Sequence, residues 1–557
     1  MNYTGAEIIV QMLEQKGIEI VAGIPGSANL PLYKALHGSK IRHILARHEQ
    51  GAGFIAQGMA RSTGKAAVCF ATSGPGATNL ITAIADAKLD SVPVVAFTGQ
   101  VASSSMGTDA FQEIDTYGLT IPITKHNFLV RSTHELPEII IEAFHIAESG
   151  RPGPVVIDIP KDIQTEMCTI ESWPEFKIPE KYDSMEDENI DEIIKTINAA
   201  QKPLLFVGAG IIESKAEKLL YQLATKNNIP VTSTLRGLGC FPPSHPLYMG
   251  MIGMHGTKYA NQLMEEADVV IALGVRFDDR ATGKLNEFCQ TATLIHVDID
   301  KSEINKLKMA HVSIHANVKE VILRILPGIA ENNRAGWLHE AELKIGELPY
   351  VEAPENGDPF HPLRIIKEVA RVVREDTIIT TDVGQHQMWV AMKYPFSAPR
   401  TFLTSGGLGT MGFGVPVAIG AALANPEKKV VCFSGDGSFL MNIQELATIA
   451  EQKCNIAILI FNNGYLGLVL QQQELFFDQK YVGSQFHAIP DFAGIAKNFG
   501  ISSVDLEKSE NPLDDLEQAL NVVGPVLINV PIHYSENVFP MVTPGGANKT
   551  MIDKFNN

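Results

Sequence analysis

Short, uniformly apolar segments alternate with helical stretches along this chain. In the first third they stand at 65–72 (KAAVCFAT), 91–99 (SVPVVAFTG) and 153–160 (GPVVIDIP). A second block carries KPLLFVGAG (202–210), DVVIALGV (268–275) and TLIHVDID (293–300). A third carries TIITTDVG (377–384), KKVVCFSGDG (428–437), NIAILIFNN (455–463) and GPVLINVPI (524–532). Strands apolar on both faces belong in parallel sheets covered by helices on both sides. The pattern predicts an α/β fold of three doubly wound parallel-sheet domains.

The chain has 557 residues, too many for one hydrophobic core. Residues 168–190 and 347–362 are polar, charged and proline-punctuated, and read as linkers. The expected domains are therefore 1–167, 190–346 and 363–540. The polar tail from 544 is expected to cover the fold or fray.

Composition excludes several function classes. The net charge is −18 and no Lys/Arg cluster stands out, which argues against a nucleic-acid partner. Cys69, Cys168, Cys240, Cys289, Cys432 and Cys454 show no paired spacing, against a disulfide framework or a zinc site. They fit a reducing, cytoplasmic setting. The N-terminus runs straight into an amphipathic pattern, without a targeting segment. No apolar run approaches the ~18 residues of a membrane helix.

In doubly wound sheets, ligands bind beyond the carboxyl ends of the strands. There the segment 428–463 reads strand, tight turn, helix, strand. Gly435 and Gly437 flank Asp436 at the first strand end, and Asn462 and Asn463 close the second. A right-handed βαβ unit brings both ends to one sheet edge. Asp436 and Asn463 then offer oxygens to one point, as Mg²⁺ requires when phosphate oxygens complete its shell. The glycines admit backbone N–H groups to a phosphate, and a helix from Ser438 is expected to point its positive end there. Asp-Gly and Asn-Asn-Gly are also ordinary turn sequences; their spacing after two buried-type strands favours the metal–diphosphate reading.

The GDG…NN pattern resembles the thiamine-diphosphate enzyme superfamily. Within it the chain is similar to the catalytic large subunits of the acetolactate (acetohydroxyacid) synthase family over nearly its whole length. The matching blocks are RHEQGAGFIAQGMAR (47–61), TSGPGATN (72–79), GTDAFQE (107–113), SGRPGPVVIDIPKD (149–162), GMHGTKYAN (253–261), RFDDR (276–280), GQHQMW (384–389) and SGGLGTMGFG (405–414). The resemblance implies thiamine diphosphate, Mg²⁺ and FAD as cofactors. It implies decarboxylation of pyruvate and joining of the two-carbon fragment to a second pyruvate or to 2-oxobutyrate, giving 2-acetolactate for branched-chain amino acid synthesis.

It also implies roles for residues. Asp436, Asn463 and the Tyr465 carbonyl would hold the metal. Gln385, His386, Gly435, Gly437, Ser438 and Leu466 would surround the diphosphate. Gly409, Met411 and Gly26 would meet the rest of the cofactor. Glu49 would hold the aminopyrimidine in the tautomer that deprotonates the thiazolium; from spacing alone it is a helix-start glutamate, favoured there by the dipole. Arg276 would take the acceptor carboxylate, a bidentate donor suited to it. Phe111, Gln112 and Lys161 would line the acceptor pocket, though by themselves Phe111 reads as core and Lys161 as a loop lysine. Arg151, Gly208, His255 and Asp298 would contact FAD.

Two positions depart from the family pattern. Ser27 stands where Pro-Gly-Gly is usual. Gln472 replaces a tryptophan wall that favours 2-oxobutyrate, which predicts weak acceptor preference and weak sulfonylurea inhibition. Catabolic FAD-independent acetolactate synthase, and other thiamine-diphosphate decarboxylases or oxidases, are the competing readings; RFDDR marks the FAD-using members. A homodimer or tetramer with Glu49 and Asp436 meeting across subunits is expected, with a separate small regulatory subunit as a possible partner.

Overall fold

The computed structural model describes residues 1–176, 187–348, 352 and 357–553. Three six-stranded sheets dominate it, and every strand pair within them is parallel. The first runs, edge to edge, Arg42–Leu45, Ile20–Gly23, Ala67–Ala71, Val94–Gln100, Val155–Pro160 and His126–Leu129. The third runs Phe402–Leu403, Ile378–Thr381, Val430–Gly435, Ile456–Asn462, Val526–Pro531 and Ser502–Asp505. Counted along the chain, both have strand order 2-1-3-4-6-5, so these two domains share one topology. The middle sheet differs. It runs Tyr248–Met251, Val231–Ser233, Pro203–Val207, Val269–Leu273, Thr293–Asp298 and Val312–His315. That order is 3-2-1-4-5-6, the arrangement of dinucleotide-binding folds.

The central strands are buried on both faces, as their apolar sequences require: Val68, Val95, Ile157, Leu205, Ile271, Val431 and Ile458 are all at most 1% exposed. One core cluster spans the first and third domains. Its centre is the crossing of helix Glu49–Thr63 with helix Gly414–Ala424. A Cβ on Gly58 would lie 2.1 Å from the Val417 carbonyl oxygen, and one on Gly420 would lie 1.9 Å from that of Ile55. Backbones therefore touch, and only glycine permits it at either position. Phe54 meets Phe413 edge-on beside the crossing, at 5.3 Å between centroids.

Some expectations need correction. Cys168 and Thr169 are not linker: with Met167 they pair antiparallel with Asn2–Thr4 and close the first domain. Helix Asp187–Ala199 already begins within the second half of the expected linker; the remainder of that stretch, and most of 347–362, lies outside the described residues. The tail does not fray through residue 553. Met541 pairs with Ile552, and the Asn548 amide donates to the Ala281 carbonyl of the middle domain at 2.8 Å.

Candidate active site

The two strand ends singled out by the sequence are neighbours. Val430–Gly435 and Ile456–Asn462 pair in register, with Gly435 opposite Phe461. Asp436 Oδ2 accepts the Gly464 N–H at 2.7 Å, and Asn463 Oδ1 accepts the Tyr465 N–H at 3.0 Å. Gln385 joins them: Asn463 Nδ2 donates to its Oε1 at 3.4 Å. Burial pushes the Asp436 carboxyl up to about 6, against hydrogen bonds that favour its charged form. Among the described residues no group of three or more His, Cys, Asp or Glu is placed to hold a metal ion. A cation here would thus have one carboxylate, one amide oxygen and a carbonyl, and would need phosphate oxygens to complete its shell.

The continuous helix expected from Ser438 is broken. A single α-turn, Asp436–Phe439, passes into 3₁₀ turns at Leu440–Glu445 with a non-helical Asn442, and α-helix resumes at Leu446. The Ser438 hydroxyl accepts the Gly435 N–H at 3.2 Å and holds the turn. Gly437 abuts Leu466, whose Cδ2 would lie 2.6 Å from an added Cβ.

His386 reaches this cluster from the neighbouring helix, beside Gly435. Burial lowers its pKa to about 3, so the ring is neutral; a hydrogen bond to the Asp382 backbone opposes this only partly. Its Nε2 is buried and has no partner. An orphaned polar atom beside two glycines is a place a diphosphate oxygen fits. Asp382 itself is a residue the sequence reading missed. Fully buried, it accepts the N–H groups of Gly412 (2.8 Å) and Gly414 (3.2 Å), and so fixes the loop carrying Gly409 and Met411 to the sheet edge.

Glu49 opens its helix as expected and is 9% exposed. Asn79 donates to its Oε2 at 2.9 Å. Thr72 lies beside it, against Gly26 and Gly76, with its hydroxyl buried and unpartnered. Glu445, unforeseen, anchors this helix start from the third domain: its Oε1 accepts the N–H groups of Arg47 (2.9 Å) and His48 (3.1 Å). Among the described residues, no hydrogen bond joins Glu49 to the Asp436 cluster. Gln112 sits against Gly74, Lys161 is exposed at the start of a short helix, and Ser27 is exposed. Phe111 is 87% exposed, which overturns its reading as core.

A buried ionic network ties the halves together. Arg61 donates to Asp86 Oδ1 and Asp90 Oδ2, each at 2.9 Å. Asp90 also accepts the Gly406 and Gly407 N–H groups at 3.0 and 2.9 Å, so the first domain grips the SGGLGTMG loop. Desolvation raises Asp90, but Arg236, Arg61 and the loop amide outweigh it and hold it below the usual carboxylate range. The available signal was two aspartates four apart at the end of a largely apolar helix.

A cavity of about 860 Å³ opens where the middle domain faces the third. Arg151, His255, Asp298, Arg276, Gly409 and Gln472 all line it. Gly208 does not; it packs against Gly274, whose carbonyl oxygen would lie 2.2 Å from an added Cβ, while Ala209 and Gly210 face the space. The cavity meets the ends of Pro203–Val207 and Val269–Leu273, where the strand order reverses and dinucleotides bind in this topology. His255 Nδ1 is buried without a partner, and burial lowers its pKa to about 4. Burial raises Asp298 to about 6. Arg276 donates to the Leu89 carbonyl at 2.8 Å.

Family models for the thiamine pyrophosphate enzyme match all three domains. The N-terminal TPP-binding domain matches residues 3–119, the central domain 190–325, and the C-terminal TPP-binding domain 382–530. The chain is 53% identical over 552 residues to the Escherichia coli K12 protein named acetolactate synthase isozyme 1 large subunit, covering 99% of this chain and 98% of that one. The chain belongs to the acetolactate synthase family of thiamine pyrophosphate enzymes. It is also 45% identical to the isozyme 2 large subunit of the same bacterium, across 99% of this chain and 100% of that one. A probable acetolactate synthase large subunit of Methanocaldococcus jannaschii shares 45% identity over 97% and 94% of the two chains. The fold expectation and the thiamine-diphosphate expectation both stand. Among the described residues no helix is long and apolar enough to cross a membrane.

Proposed function

We propose that this chain is the catalytic large subunit of an acetolactate synthase, joining two pyruvates to 2-acetolactate with loss of carbon dioxide for branched-chain amino acid synthesis in the cytoplasm. The convergence of Asp436, Asn463, Gln385 and the orphaned His386 Nε2 at one sheet edge carries the reading. Thiamine diphosphate, when bound, supplies the nucleophilic carbon and the electron sink for decarboxylation. Everything else falls to the protein. Asp436, Asn463 and the Tyr465 carbonyl would hold Mg²⁺, and Gln385, His386, Gly435, Gly437, Ser438 and Leu466 the diphosphate. Gly409, Met411 and Gly26 would position the cofactor. Glu49 would hold a proton at the pyrimidine nitrogen, its carboxylate oriented by Asn79.

The acceptor would be met by Arg276 through its carboxylate, with Phe111, Gln112 and Lys161 closing the pocket. The exposure of Phe111 and the separate partners of Glu49 support a site completed by a second copy of the chain. The strand order 3-2-1-4-5-6 and the cavity with Arg151, His255 and Asp298, lined by Ala209 and Gly210 in place of Gly208, support FAD over the catabolic, FAD-independent reading. A small regulatory subunit as a further partner fits the names of the relatives. The domain limits 1–167, 190–346 and 363–540 remain our functional division, with the first extended through Thr169.

Pyruvate turnover by the purified protein tests the proposal. Acetolactate should form only with thiamine diphosphate and Mg²⁺, and Glu49→Gln should lower the rate about 100-fold or more with folding intact. Turnover without the cofactor, or an unimpaired Glu49→Gln, rejects it.

A further inference from the structure

We propose that Asp158 and Gln100 are positioning residues for the acceptor side of the site: together they fasten both ends of segment 101–115, which carries Phe111 and Gln112. The inference rests on the reading of those two residues as acceptor-pocket residues.

Strands Val94–Gln100 and Val155–Pro160 are neighbours, with Thr98 opposite Asp158. The segment leaves the sheet at Gln100 and returns at helix Thr116–Thr120. Apart from one 3₁₀ turn at Ser103–Ser105 it has no regular structure. Its shape therefore depends on side-chain anchors. Glu113 holds the middle, accepting the Gly107 and Ala110 N–H groups, and Gln100 ties the ends: its amide nitrogen donates to the Ile114 carbonyl at 2.8 Å, and its amide oxygen accepts the Val101 N–H at 2.9 Å. One side chain thus closes both ends of the segment.

Asp158 fixes which way that amide points. Buried at 2% exposure, its Oδ1 accepts the Thr98 hydroxyl at 2.6 Å and its Oδ2 accepts the Gln100 amide N–H at 3.0 Å. An ionised carboxylate only accepts. Turning the Gln100 amide over would set its oxygen against the carboxylate and its nitrogen against the Val101 N–H. Burial raises the Asp158 carboxyl to about 7, so the accept-only form that fixes the amide is the one present above that pH, and an apolar side chain would fill this place at lower cost if packing were all it served. The short helix that follows this strand, Lys161–Thr165, adds a further anchor: Asp162 Oδ1 accepts the Ser103 N–H at 2.9 Å. Lys161 lies between Asp158 and Asp162, so one strand-to-helix junction both carries a pocket residue and holds the segment bearing the other two. Gln112 itself stands at φ +62°, in the left-handed region.

The test compares Asp158→Asn and Gln100→Met with Thr98→Val, which breaks a bond to Asp158 without reaching Ile114. A loosened acceptor pocket releases acetaldehyde, the product of decarboxylation followed by protonation, in place of acetolactate. The acetaldehyde share should rise at least about tenfold in Asp158→Asn and Gln100→Met and stay unchanged in Thr98→Val. In cofactor-free protein, amide hydrogen exchange over 101–115 should quicken in the first two only. Loss of stability in all three variants without either change overturns the inference. Phe111→Ala serves as the reference: if it leaves the product share unaltered, the acceptor-pocket reading itself fails, whatever Asp158 does. Should Asp158→Asn not fold, Gln100→Met decides the matter alone.

Discussion

Asp436 accepts the N–H of Gly464 at 2.7 Å, so the tip of one strand is bound to the turn that follows the next. This bond places the Asp436 carboxylate and the Asn463 amide on one sheet edge before any ligand arrives. A preformed site of this kind loses little conformational entropy on binding. Its weakness is electrostatic, because a buried carboxylate without a counter-ion is raised toward its neutral form.

The crossing of helices Glu49–Thr63 and Gly414–Ala424 is expected to tolerate no side chain. In an exposed helix, Gly→Ala gains roughly 0.5–1 kcal/mol. At Gly58 the new methyl would lie 2.1 Å from a backbone oxygen, and overpacking costs about 1–3 kcal/mol or more. Gly58→Ala should therefore lower the denaturant midpoint. An unchanged or raised midpoint would show that the helices can part without cost.

Asp382 gives a pH dependence of defined sign. Burial raises its carboxyl to about 6, against about 4 in an unfolded chain. The folded state then holds this proton more tightly. Its contribution to stability is complete below pH 4 and is lost as pH rises through 6, a change of about 3 kcal/mol. Denaturant unfolding of cofactor-free protein at several pH values should show the difference between wild type and Asp382→Asn shrinking by roughly that amount from pH 4 to 7. A difference that grows toward neutrality would contradict the assignment.

Gln472 lines the cavity, as do Leu468, Met388 and Arg276. One methylene against an apolar wall is worth about 0.8 kcal/mol, close to fourfold in product ratio. Gln472→Trp should raise the share of 2-aceto-2-hydroxybutyrate formed from mixed pyruvate and 2-oxobutyrate by at least that factor. The measurement is the product ratio at equal acceptor concentrations.

The segments that the sequence made most legible are the central strands. Runs such as KKVVCFSGDG and NIAILIFNN are apolar on both faces because helices cover both sides of the sheet, and they coincide with Val430–Gly435 and Ile456–Asn462. Edge strands such as Phe402–Leu403 carry no comparable signal, since one side lacks a partner and two residues set no period. Strand order was illegible for a related reason: local patterning names strands but not their neighbours. The broken helix after Asp436 reflects tertiary demands, since Asn442 donates to the Gly412 carbonyl and Glu445 caps the start of the Glu49 helix. Such long-range polar bonds leave no periodic trace. Asp86, Asp90 and Asp382 were missed likewise, because an aspartate in an apolar stretch identifies neither its donors nor their domain.

Asp436 and Asn463 are expected to grip one ion that in turn holds a diphosphate. Equilibrium titration of thiamine diphosphate into cofactor-stripped protein, with and without Mg²⁺, measures this. Binding to wild type should require Mg²⁺, and Asp436→Asn should weaken it at least about tenfold while melting as wild type does without cofactor. Tight binding without a divalent ion, or an unaltered affinity in Asp436→Asn, would contradict it.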